Sequence, residues 1–146
     1  MSNRILEGWK AKLAFKTELV KQRVGPIAET WRAYWETDKM QKEFLWKVSE
    51  AEVGNAGDNK ARVTALGELM PCAERLKKQF DDFDKVLTAN RFWLGRLRYE
   101  RMTKYKGLLY DLQKAYGESD LERFTLIEKK LEAVRGSIED DDLLKL

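Results

Sequence analysis

LGELMPCAERLKKQFDDFDKVLTANRFWLGRL, residues 66–97, repeats apolar side chains at helical heptad spacing. Leu66/Leu69, Ala73/Leu76, Phe80/Phe83 and Leu94/Leu97 fall at the a and d positions of one register, interrupted by Leu87/Asn90. Such spacing gathers apolar residues on one helix face, and that face has to be buried against other helices. Asn90 reads as a lone polar residue that fixes register.

Working outward, helical periodicity extends from about residue 60 to 116, with a kink or restart near Pro71, which lacks an N–H to donate. An unbroken helix of that span would be about 85 Å long. Upstream, residues 54–59 (GNAGDN) form the clearest loop, with Asp58 or Asn59 placed to cap the helix after it. Before it, Leu6, Trp9, Leu13 and Val20 mark a helix over about 3–23, which Gly25 and Pro26 separate from a second over 26–53. In that second helix Asp38, Lys39, Gln41 and Lys42 predict an exposed middle. Downstream, Gly117 marks a helix end, and Ser119-x-x-Glu122 has the form of a capping box. A last helix, over about 120–135, has Phe124, Ile127, Leu131, Val134 and Ile138 at three–four spacing, with Gly136 placed to close it before the last of these.

The expected fold is therefore all-α, with no β-sheet. It is a four- to five-helix bundle or coiled-coil-like architecture in one domain, residues 1–138, dominated by the long kinked helix. Residues 139–146 form an acidic–hydrophobic tail.

Composition narrows the chemistry. The 146 residues contain no histidine and one cysteine, which removes the commonest general base and the usual zinc ligands. No phosphate-cradling glycine loop is present. Asp81, Asp82 and Asp84 cluster within one turn, yet three carboxylates on a helix surface read first as a solvated face. Cys72 reads as a small buried apolar side chain. Neither an enzyme, a cofactor, a metal nor a small-molecule substrate is expected. The start lacks the apolar core of a secretory signal, and no stretch approaches the roughly 18 apolar residues that span a bilayer. A cytoplasmic location, or the interior of a particle such as a virion, is expected.

Charge is small in sum, +3, but unevenly placed. Residues 1–23 carry six Lys and Arg against Glu7 and Glu18, and residues 91–106 carry Arg91, Arg96, Arg98, Arg101, Lys104 and Lys106 against Glu100. Lysines edging the apolar side of the first helix are ordinary in bundles, and no membrane contact is expected from them. On the later stretch, Phe92, Arg96, Tyr99, Thr103, Lys106 and Tyr110 share one helix face. Aromatics rimmed by arginine favour protein interfaces. The same mixture can stack bases and neutralise phosphates. The tail Glu139-Asp140-Asp141-Asp142-Leu143-Leu144-Lys145-Leu146 resembles in composition the acidic–hydrophobic tails by which single-stranded DNA-binding proteins recruit partners, though without their aromatic terminus.

The expected function is a non-catalytic assembly or adaptor subunit that binds protein, its own kind included. Its interaction residues are Phe92, Arg96, Tyr99, Tyr110, Leu143 and Leu144. The alternative is a nucleic-acid-associated subunit using Arg91, Arg96, Arg98, Arg101, Lys104 and Lys106.

Overall fold

A computed structural model describes residues 3–140, and these contain five helices and no strand. The helices are α1 (Asn3–Gly54), α2 (Asn59–Gly67), α3 (Met70–Ala89), α4 (Arg91–Gly117) and α5 (Leu121–Glu139). The all-α expectation holds. The expected helices over 3–23 and 26–53 are one helix of 52 residues with Pro26 inside it. Proline removes a single backbone donor, and the burial of Ile27, Thr30 and Tyr34 just beyond it holds the helix on that side.

The chain divides into two compact units, Thr30–Ala89 and the combination of Met1–Glu29 with Asn90–Leu146. In the first of these, the second half of α1 buries Thr30, Tyr34, Thr37, Gln41 and Val48, at intervals of three, four and seven residues. From α3, Leu76, Phe80, Phe83 and Leu87 are buried at intervals of four and three. Gln79 Nε2 donates to Thr37 Oγ1 at 3.2 Å, and that hydroxyl donates to the Ala33 carbonyl at 2.6 Å, so the polar pair between α1 and α3 is satisfied. The middle of this helix is not the exposed stretch its charges suggest. Gln41 is fully buried and Asp38 nearly so, the latter bridged by Lys42 at 2.9 Å. One turn of helix places that lysine over the carboxylate while its own head stays in water.

The expected single helix over 60–116 is three. α2 ends in a turn at Glu68 and Leu69, where the Leu69 amide donates to the Leu66 carbonyl, and α3 restarts with Pro71 in its first turn, where a missing N–H is harmless. It breaks again at Asn90, which is the buried N-cap residue of α4 rather than a register-fixing seam position. Inside α4, Gly95 sits at φ 78°, ψ 165°, far from helical values. That turn separates two leucines expected on one face: Leu94 is fully buried and Leu97 is 59% exposed.

In the second unit α4 and α5 form an antiparallel hairpin. The Tyr116 and Phe124 rings lie 6.3 Å apart near the turn, and Arg101 Nη1 donates to the Ser137 carbonyl at 3.4 Å towards the other end. Met102, Tyr105, Leu109 and Leu112 face Ile127, Leu131, Val134 and Ile138 in matching three–four spacing. α4 ends at Gly117 as expected, but the cap of α5 is Asp120, whose Oδ1 accepts from the Arg123 amide at 3.0 Å. Ser119 lies one residue too early, at φ 56° in the turn. Gly136 does not end α5, which continues to Glu139 because Val134 and Ile138 are buried on either side of it.

Asp58 caps α2 as expected, accepting from the Ala61 amide at 3.0 Å. α2 buries none of its residues, so the cap carries an unusual share of its stability. Asp58→Ala is expected to cost about 1 kcal/mol, read as faster amide exchange over α2; unchanged exchange there would contradict this role.

Candidate protein-interaction surface

Every residue from 3 to 22 is exposed. The stretch is helical, yet Trp9 is 67% and Leu13 55% open to water, and Leu6, Phe15, Leu19, Val20 and Val24 are also exposed. Lysines edging an apolar side chain row are ordinary where other helices cover the row, but among the described residues no helix covers this one over 3–22. Leu6, Leu13 and Val20 recur every seven residues and continue into Ile27, Tyr34, Gln41 and Val48, which are buried. One face of α1 is thus bare at its start and packed later. Sequence periodicity marks the face in both halves alike; only the fold tells which half is covered.

The expected interaction residues of α4 are partly engaged within the chain. Phe92 is 83% exposed and meets Trp93 edge-on at 5.1 Å. It precedes the Gly95 turn, so it does not share a straight face with Arg96, Tyr99, Thr103, Lys106 and Tyr110. Tyr110 is exposed, while Tyr99, Thr103 and Lys106 are half-buried. Arg96 donates to Glu100 at 2.9 Å, and this hydrogen bond and the paired charge hold the guanidinium above its usual pKa. Both groups stand in water, so the pair adds little stability. Leu143 and Leu144 lie outside the described residues.

Of the basic set, Arg91 sits over the Tyr99 ring at 4.7 Å, Arg98 Nη1 donates to the Leu94 carbonyl at 3.3 Å, and Arg101 reaches Ser137. Lys104 is exposed. Arg23 Nε donates to the Trp93 carbonyl at 3.0 Å, which joins the basic N-terminal helix to the start of the second basic stretch.

In the unit Thr30–Ala89, a cleft of about 180 Å³ is lined by Met40, Phe44, Lys47, Cys72, Arg75 and Leu76. Cys72 is half-buried rather than buried, with Sγ 3.2 Å from Arg75 Nη2 and 3.8 Å from Lys47 Nζ. Asp81 and Asp82 are exposed and Asp84 half-buried. Among the described residues no three His, Cys, Asp or Glu side chains are grouped to hold a metal ion, and no helix is long and apolar enough to cross a membrane. Comparison with protein-family models, curated proteins and solved structures gives no match.

Proposed function

We propose that this chain is a non-catalytic helical assembly subunit, working in the cytoplasm or inside a particle, that binds a protein partner through the first half of α1. The observation that carries this reading is the run of large apolar side chains over residues 6–24 left open to water on a formed helix. Covering one such side chain is worth about 1.5–3 kcal/mol, and contiguous apolar surface on this scale marks interaction sites. Self-association is assigned separately to the exposed Phe92, ahead of the Gly95 turn.

Light scattering after size exclusion tests both parts. The chain is expected to elute as an oligomer that Phe92→Glu dissociates. A partner recovered from the native host should be retained by the wild type and lost with Trp9→Glu/Leu13→Glu. A strict monomer over a wide concentration range would remove self-association, and equal recovery by both proteins would remove the α1 surface.

A second reading, a nucleic-acid-associated subunit, is supported by the Arg23–Trp93 hydrogen bond, because it brings two basic stretches into one unit. It ranks lower because Arg91, Arg96, Arg98 and Arg101 already have partners within the chain. It requires an affinity that falls with salt and weakens in Arg96→Ala/Arg98→Ala.

A further inference from the structure

We infer that the bare face of α1 is built for an acidic amphipathic helix of another protein, an inference that rests on the reading that this face docks protein. At about 100° per residue, Leu6, Trp9, Leu13, Val20 and Val24 form one stripe, and Leu19 and Phe15 widen it to one side. Lys12 and Lys16 fall inside this apolar arc, between Leu19 and Trp9. Glu7 and Glu18 fall on the opposite side of the helix. All of these residues are exposed.

The register identifies the shape of the occupant. Leu6, Leu13 and Val20 hold the same heptad position as the buried Ile27, Tyr34, Gln41 and Val48, so the bare face continues a row that is buried later in α1, where Gln79 of α3 bonds Thr37 beside it. Residues 6–24 span about 27 Å, which a helix of about 20 residues matches.

The two lysines identify its charge. A cation amid apolar contacts is unfavourable unless an opposite charge meets it. A second copy cannot supply one. Paired in parallel it would set Lys16 against Lys16, and in either direction Glu7 and Glu18 face away from the contact. A lipid surface would seat Lys12 and Lys16 at the most deeply inserted part of the helix, where cations are costly. A helix that carries Asp or Glu among its leucines covers the stripe and meets both lysines at once.

The test uses the full chain and two fluorescein-labelled synthetic peptides of 20 residues with the same leucine stripe, flanked by glutamates in one and by lysines in the other. Anisotropy is expected to show about tenfold or greater preference for the glutamate peptide, weakening as salt is raised. Lys12→Glu/Lys16→Glu should reverse the preference, and Trp9→Glu/Leu13→Glu should abolish binding of both. These side chains are uncovered, so circular dichroism of the variants should match the wild type. Equal affinity for the two peptides, or stronger binding to phosphatidylserine vesicles than to the glutamate peptide, would overturn the acidic-helix assignment alone. Failure to bind either peptide would overturn the docking surface as well.

Discussion

Phe83→Ala is expected to destabilise the protein by about 3–5 kcal/mol, the largest effect expected of a single truncation. Phe83 has no exposed surface and lies at the centre of the α3 row Leu76, Phe80, Phe83 and Leu87. Removing its ring forfeits the transfer of a large apolar group from water and leaves a void among side chains held by two helices. Urea titration followed by circular dichroism reads the loss as a lower midpoint. Trp46→Ala is the control, since a large aromatic side chain there is 66% exposed; its effect should stay within about 0.5 kcal/mol. A loss below about 1 kcal/mol at Phe83 would mean that the α3 row is not core.

Gly95→Ala should act through the backbone. At φ 78° and ψ 165° an L-residue is strained, at a cost of about 1–3 kcal/mol. Space is not the obstacle, because an added Cβ would lie 3.7 Å from Arg23 Nη2, an ordinary contact. Alanine favours the helical alternative, which would straighten the chain from Asn90 onward and withdraw the Trp93 carbonyl from Arg23. Lower stability together with increased helix signal is the expected pair of readings. Wild-type stability in Gly95→Ala would show that the turn is not required.

The all-α fold was legible because the three–four spacing of apolar residues survives in every helix. Breaks were read less well, for reasons specific to each. Pro26, next to Gly25, carries a strong stop signal, but a missing donor is only one of many helix bonds and the buried Ile27, Thr30 and Tyr34 beyond it are a tertiary support that the sequence does not display. Asn90 carries a weak one, and it precedes α4 without a side-chain cap hydrogen bond that would mark it. Gly95 looks like any glycine in a helix until its backbone angles are known. Ser119 and Asp120 compete to cap α5, and the positive φ at Ser119 gives the cap to its neighbour.

The interaction surface was half legible. Leu6, Trp9, Leu13 and Val20 stand out in sequence as one side of a helix, and Lys12 and Lys16 can be placed on a wheel. Whether that side meets the chain's own helices is a tertiary fact, and periodicity is blind to it. Arg96, Arg98 and Arg101 present the converse case. They look free in sequence, and each is occupied by a carboxylate or a carbonyl in the fold.

Residues 3–22 have one further consequence. With every residue there exposed, the helix draws mainly on its own hydrogen bonds, and a lone helix of that length is only marginally stable in water. A partner that settles on this face therefore also sets the balance between coil and helix beneath it. Part of its interaction energy is spent as lost chain entropy, so affinity can be tuned from the far side of the helix, by residues the partner never touches.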